Sequence, residues 1–192
     1  MTDILAICCG IFQAELAVLA PAFPRLRMVF ADSMLHMRPL LLQDRIDALL
    51  ELHNPDKTLF VYGDCTPRIV ELCRKPGFAK TEGVNCCDIL LGREEYRRLR
   101  KAGAFFFLPE WTVRWREVFE SELGFSGMRV AGQMLREVHS RFIYLDTGVM
   151  PVPWALLDEI SRELEMPMTV SPLGLGCLEH KMAAAQEKLD AR

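Results

Sequence analysis

The chain has 192 residues, 51% of them apolar and only 9% aromatic, with a net charge of −3 at pH 7; that length and composition fit one α/β domain, 1–192, with a substantial core and leave little room for a second. Its basic residues are scattered through helical segments and form no electrostatic footprint for a phosphate backbone, so nucleic acid is not expected as a partner. Apolar runs such as 28–31 and 104–108 fall far short of the roughly 20 residues that cross a bilayer, which argues against a membrane span.

The first apolar run, 4–8, reads as a strand, and Gly10 then allows a tight turn into a helix over 12–19 that Pro21 and Pro24 end. A second strand over 27–31 leads through a loop holding Asp32, His36 and Pro39 into a helix from about 41 to 52, stopped by Asn54 and Pro55. The third strand, 58–62, turns at Gly63 and Asp64 into Cys65 and a helix over 67–74, where Pro67 suits the first helical turn. A weaker strand signal over 78–84 precedes Asn85, which suits the cap of a single strong helix running to Lys101. Residues 104–108 give the clearest strand, followed by a loop over 109–111, a helix through Glu122 and another over 128–138. A strand over 141–145 ends at Asp146, Thr147 and Gly148; a helix over 153–164, a short strand over 168–170 and a C-terminal helix complete the chain.

Repeated strand, loop and helix units predict a doubly wound three-layer α/β sandwich with a mainly parallel sheet of about seven strands. In such sheets ligands bind beyond the carboxyl ends of the strands, where strand order reverses. Five of the seven cysteines fall at or near such ends: Cys8, Cys9, Cys65, Cys86 and Cys87. A flavodoxin-like order 2-1-3-4-5 makes strands one, three and four neighbours, with the outer two roughly 10 Å apart, so Cys9, Cys65 and Cys86 are expected to face one centre. Thiolates are soft ligands for an iron–sulfur cluster or zinc, and three of them leave one coordination position open. The wide spacing favours a cluster over a single zinc ion. Against this stands the tendency of free cysteine to be core, which fits Cys8 in particular.

The odd cysteine count, the length and the acidic Asp3 ahead of a short apolar run point to reduced thiols and a cytoplasmic location. A catalytic alternative uses Cys86 or Cys87 at a helix start as nucleophile with His36 as base. Asp146 and Thr147 are candidate cofactor-binding residues, although Asp146 with Gly148 is equally a turn device. Neither the full dinucleotide fingerprint nor a phosphate loop is present, so neither NAD nor ATP is expected.

Several short motifs occur in order along nearly the whole chain: Ile7-Cys8-Cys9-Gly10, Leu35-His36 with Pro39, Tyr62-Gly63-Asp64-Cys65, Cys86 through Leu90-Leu91-Gly92 and Tyr96, Gly103 to Trp111, and Tyr144-Leu145-Asp146-Thr147-Gly148. Together they resemble a bacterial and archaeal domain-of-unknown-function family often encoded beside corrinoid-dependent methyltransferases. The resemblance implies that Cys9, Cys65 and Cys86 are the family's cysteines and that His36 belongs to its pattern. Val84-Asn85 stands where the family has His-Asp, and Glu110 where it has a glycine before Trp111. It further implies a place in corrinoid-dependent methyl transfer, with a corrinoid protein or methyltransferase as partner.

Three functions are therefore expected to compete. The first is a three-cysteine metal- or iron–sulfur-binding accessory or redox factor. The others are a thiol-dependent transferase on a small methylated substrate and a corrinoid-protein binding module with structural cysteines.

Overall fold

The structure is a computed structural model that describes residues 3–122 and 127–191. The chain divides into two compact units, residues 1–92 together with 175–192, and residues 93–174. All seven cysteines belong to the first.

In the first unit β1 (Ile4–Cys9) is buried along its whole length, which is why it reads as an unbroken apolar run and not as an alternating one. It pairs in parallel with β2 (Leu26–Ala31) on one side and β3 (Thr58–Val61) on the other, and β3 pairs with the three-residue β4 (Phe78–Lys80). The order is β2-β1-β3-β4. The chain thus steps outward from β1 to β2, then returns past β1 to β3, so the order reverses between β1 and β3.

Connections between these strands follow local chemistry. A single 3-10 turn, Gly10–Phe12, leads into α1 (Gln13–Leu19). Pro39 opens α2 (Pro39–His53), and Asn54 closes it in the left-handed region at φ 39°, a conformation that asparagine tolerates better than most residues. The Thr66 hydroxyl accepts from the Arg68 amide to cap α3 (Pro67–Leu72). Asn85 caps α4 (Cys86–Leu91), and Gly92 at φ 78° then breaks the helix. The one long helix expected over 85–101 is therefore two, α4 and α5 (Arg93–Lys101), because the Gly92 backbone cannot continue an α-helical turn.

Returning to the first unit, α9 (Gly176–Asp190) packs on β3, β4 and α4 through Leu178, Met182, Ala185 and Leu189, which recur at three-to-four spacing. Its end is tied down where the Arg25 guanidinium donates twice to the Asp190 carboxylate, at 2.7 and 3.0 Å, and Lys57 donates to the Leu189 carbonyl at 2.7 Å. Arg25, then Lys57, hold the Asp190 carboxyl below the usual carboxylate range. A carboxylate depressed in the folded state contributes stability above the unfolded value near 3.9 and loses it as pH falls through the folded one. Urea midpoints measured from pH 5 down to pH 2 should fall less steeply for Asp190→Asn than for the wild type.

The second unit carries β5 (Ala104–Phe107), β6 (Arg141–Asp146) and β7 (Met168–Pro172), parallel and in the order β5-β6-β7. Around them run α5, α6 (Pro109–Val113), a π-helical turn (Glu117–Glu122), α7 (Met128–Val138) and α8 (Trp154–Glu163). The expected loop over 109–111 is instead the start of α6, and the helix expected to follow it through Glu122 is interrupted at Arg114, whose ψ of 16° leaves the α-region. Edge-to-face contacts of Phe105 and Phe107 with Phe142 bind β5 to β6. Arg116 lies 4.4 Å over the Trp115 ring and pairs with Glu159 and Glu163 of α8.

The fold is thus mixed α/β with parallel sheets, as the strand and helix alternation implies. The expected single sheet of about seven strands is replaced by sheets of four and three. β4 offers only three paired residues, Phe78, Ala79 and Lys80, and β5 begins a separate ladder. Among the described residues no helix is long and apolar enough to cross a membrane.

Candidate functional site

Where the strand order reverses, the last rung between β1 and β3 pairs Cys8 with Val61. One residue further along, Cys9 and Tyr62 stand side by side, and because side chains alternate along a strand both project to the face opposite Cys8 and Val61. Cys8 is fully buried, and its thiol donates weakly to the Ala6 carbonyl at 3.5 Å. That is core packing. Cys9 is buried at the strand end.

Two glycines let the neighbouring loops close on this point. A Cβ on Gly10 would meet the Ala31 carbonyl at 3.0 Å and the Ser33 amide at 3.2 Å, drawing the ends of β1 and β2 together. On Gly63 it would meet Asn85 Cα at 2.5 Å, and the Asn85 nitrogen and Val84 oxygen at 2.6 Å. The Asp64 amide donates to the Val84 carbonyl at 3.0 Å, and Thr81 donates through its amide to the Phe60 carbonyl and through its hydroxyl to that of Tyr62. Lys80 bridges the same loops, 2.9 Å from an Asp64 carboxylate oxygen while donating to the Gly83 carbonyl at 3.0 Å. The loop carrying Cys65 and the loop leading to Cys86 are thereby fastened backbone to backbone.

A reciprocal cap sets the start of α4. The Asn85 side chain accepts from the Asp88 amide and the Asp88 carboxylate from the Val84 amide, both at 2.9 Å. Asp88 is buried, and Lys181 of α9 donates to its carbonyl at 2.8 Å with the ammonium 3.8 Å from its carboxylate. Removing this buried carboxylate strands the Val84 amide and takes the nearby counter-charge from Lys181, which keeps its bond to the backbone carbonyl. Asp88→Ala should cost about 2 kcal/mol in urea unfolding.

With the loops so held, the Cys86 thiol donates a hydrogen bond to Cys9. Cys86 is half-buried as a residue, but its thiol is enclosed, and the bond to Cys9, burial, and the nearby Cys9, Cys65 and Cys87 push it well above its ordinary value. Burial and Cys9 push the Cys65 thiol up to about 11, against a hydrogen bond with the Gly63 backbone that pulls the other way. Tyr62 is 1% exposed, its hydroxyl has no hydrogen-bond partner, and burial followed by Cys9, Cys65, Cys8 and Cys86 push the phenol upward. Cys9, Cys65, Cys86 and Tyr62 therefore lie near one another around the sheet's reversal point. Without a cation the Cys65 and Cys86 thiols stay protonated, since a thiolate at either would be disfavoured by burial and by the charge of its neighbours.

Other candidate residues lie differently. His36 sits in a 3-10 turn, Ser33–Met37, and is exposed; the groups acting on the Cys65 thiol are Cys9, the Gly63 backbone, Asp64 and Lys80, and those acting on the Cys86 thiol are Cys9, Cys65 and Cys87. Cys87 follows Cys86 in the first turn of α4 and is half-buried. Asp146 and Thr147 belong to the second unit, where an Asp146 carboxylate oxygen accepts from the Gly148 amide at 2.9 Å and closes a turn. Among the described residues no group of three or more His, Cys, Asp or Glu side chains stands ready to hold a metal ion.

Tyr62, Lys80 and Asp88 are absent from the candidates that sequence reasoning reaches. A tyrosine at the end of an apolar strand reads as core, and only its unpartnered hydroxyl marks it. The cap of α4 was legible at Asn85, but the buried Asp88 three residues on carries the other half.

A family model described as "Protein of unknown function (DUF1638)" covers residues 30–182, a span that includes His36, Cys65 and Cys86 while Cys9 precedes it. No curated protein and no solved structure matches the chain.

Proposed function

The chain belongs to the DUF1638 family, and from that premise we propose that it is a metal- or iron–sulfur-binding protein whose ligands are Cys9, Cys65 and Cys86. The supporting observation is that Cys9 at the end of β1, Cys65 in the loop after β3 and Cys86 at the start of α4 lie close enough to act on one another's charge, beside a buried phenol with no hydrogen-bond partner. Buried polar groups are ordinarily satisfied, and an orphan hydroxyl costs about 1–3 kcal/mol. A bound ion gives both features a reason. Its charge turns the mutual disfavour among thiolates into attraction and deprotonates them, and the side chains would rotate inward from their present hydrogen-bonded arrangement. In kind the donors fit a soft ion or a cluster, and the open fourth position suits a redox or ligand-exchanging centre.

We read residues 1–92 with 175–192 as the doubly wound sheet carrying this centre, and the chain as a cytoplasmic protein, a reading that seven thiols without a disulfide support. The resemblance in motifs to proteins encoded beside corrinoid-dependent methyltransferases supports an accessory or redox role in methyl transfer, with a corrinoid protein or methyltransferase as partner. A nucleophilic role for Cys86 fits less well. A nucleophile needs a depressed thiol, whereas burial and Cys9 drive this one upward.

Anaerobic purification followed by metal and sulfide analysis tests the proposal. Stoichiometric metal that disappears in the Cys9→Ser, Cys65→Ser and Cys86→Ser variants is the expected result. Protein that takes up no metal, either as purified or after reconstitution with zinc or with iron and sulfide, would overturn it.

A further inference from the structure

Two backbone contacts bring Cys9 and Cys86 together. Cys9 stands beside Tyr62, one residue past the last rung between β1 and β3, where neighbouring strands run about 4.8 Å apart. Gly63 follows Tyr62, and a Cβ on it would fall 2.5 Å from the Cα of Asn85, the residue before Cys86. Across this short path the Cys86 thiol donates its hydrogen bond to the Cys9 sulfur. The backbone beneath the pair is fixed by the Asp64-to-Val84 hydrogen bond and by the reciprocal cap of α4. Other thiols are placed differently. Cys8 faces the opposite side of the sheet, Cys73 follows α3, and the Cys177 sulfur lies beside Gly92.

From this geometry we infer that Cys9 and Cys86 are a redox-active dithiol, which hydrogen peroxide or a comparably small hydroperoxide converts reversibly into an intramolecular disulfide. A disulfide needs sulfurs about 2.0 Å apart on α-carbons about 4–7 Å apart, and thiols already in hydrogen-bond contact approach that geometry by side-chain rotation. Enclosure sets the class of oxidant: Cys9 is 3% exposed, so a bulky disulfide such as glutathione disulfide cannot reach its sulfur. The hydrogen bond sets the order of events. Cys86 holds its proton toward Cys9, so Cys9 attacks and Cys86 resolves. The Cys9 sulfur, its proton lost, bonds to one peroxide oxygen; the O–O bond breaks, hydroxide leaves and takes up that proton as water, and Cys9 becomes a sulfenic acid. The Cys86 sulfur then attacks the sulfenic sulfur, the S–O bond breaks, and the hydroxyl departs with the Cys86 proton as a second water. Two thiols thus give up two electrons, and one peroxide becomes two waters. Burial that disfavours thiolates also withholds from the reduced form the stabilisation that makes a disulfide strongly oxidising, so the bond persists until a dithiol reduces it. This chemistry needs no metal and goes beyond the ligation proposed above.

The test uses the full-length protein, reduced, treated with a chelator and desalted, then exposed to stoichiometric hydrogen peroxide, alkylated and digested without reductant. Peptide mass spectrometry should find Cys9 joined to Cys86, with two of the seven thiols lost and both regained on adding dithiothreitol. Cys86→Ser, which lacks the resolving thiol, should lose the linkage and carry instead a Cys9 sulfenic acid that dimedone traps. Cys65→Ser should keep the linkage. Near-ultraviolet circular dichroism verifies that both variants are folded, and the wild-type peptide map stands without them. A wild type that keeps all seven thiols under peroxide would overturn the inference, as would oxidation that joins Cys9 to Cys65 or links two chains in preference. Dimedone on another cysteine of Cys86→Ser, with none on Cys9, would overturn it as well. Metal uptake by the reduced protein is a separate readout and bears only on the ligation proposal.

Discussion

Replacing Gly63 with alanine will destabilise the protein by about 3 kcal/mol, near the upper end of what inserting a methyl into a tight contact costs. The added carbon would fall 2.5–2.6 Å from three backbone atoms of Val84 and Asn85. No rotamer change relieves this, because the obstruction is main chain. The two loops must separate, and with them go the Asp64-to-Val84 hydrogen bond and the Lys80 bridge to Asp64 and Gly83. Urea unfolding gives the stability change. Soft-metal affinity measured on the folded fraction gives the second consequence, since separating these loops moves Cys65 away from Cys86. A Gly63→Ala protein with wild-type stability and affinity would mean that the close approach is not required. Gly176, around which a Cβ finds open space, is the control position and should accept alanine with little change.

The second large effect concerns the ion itself. A ligand that binds only the folded protein stabilises it by about 4 kcal/mol when its free concentration is a thousandfold above Kd, so zinc should raise the melting temperature by roughly 10 °C for a chain of this size. Cys9→Ser, Cys65→Ser and Cys86→Ser should each weaken binding by more than about a hundredfold, beyond the loss typical of an outer hydrogen-bond partner, and abolish most of the increment. Cys73→Ser and Cys177→Ser should preserve it. The pH dependence has a definite sign. The Cys65 thiol, held up to about 11, and the Cys86 thiol, held well above its ordinary value, carry their protons at neutral pH. Each must lose its proton to ligate, so binding releases about two protons from this pair and weakens as pH falls. Calorimetry in buffers of different ionisation enthalpy counts those protons. Three serine variants with undiminished zinc stabilisation would sink the proposal.

Much of the first unit is legible in the chain. Apolar runs mark β1 and β3, and residues such as Pro67 and Asn85 mark helix starts, because each is a local signal that tertiary packing does not overrule. The position of Cys9 at a strand end follows from the same reading, whereas the strand expected over 78–84 stops at Lys80 and Cys86 opens α4. What separates the seven strands into two sheets is less visible. β4 is three residues long, and nothing in composition changes where one unit gives way to the other. Gly92 sits inside a continuous helical pattern, and only its positive φ reveals that the pattern is two helices. Tyr62 was hidden for a different reason. Whether a buried hydroxyl has a partner is a property of its surroundings in three dimensions, which no spacing rule contains.

The chain leaves the first unit after Gly92 and returns to it at Leu175, directly after Gly174 at φ 65°. A Cβ on Gly92 would lie 3.7 Å from the Cys177 sulfur, so the points of departure and return are neighbours within that unit. The intervening residues 93–174 thus have the connectivity of an inserted cassette, which a host sheet accommodates when both junctions meet at one surface position. A short glycine-rich bridge from 92 to 175 would excise the cassette while keeping every cysteine, Tyr62 and the α9 tether. All seven cysteines are thereby encoded in a host segment that the inserted one interrupts without contributing to.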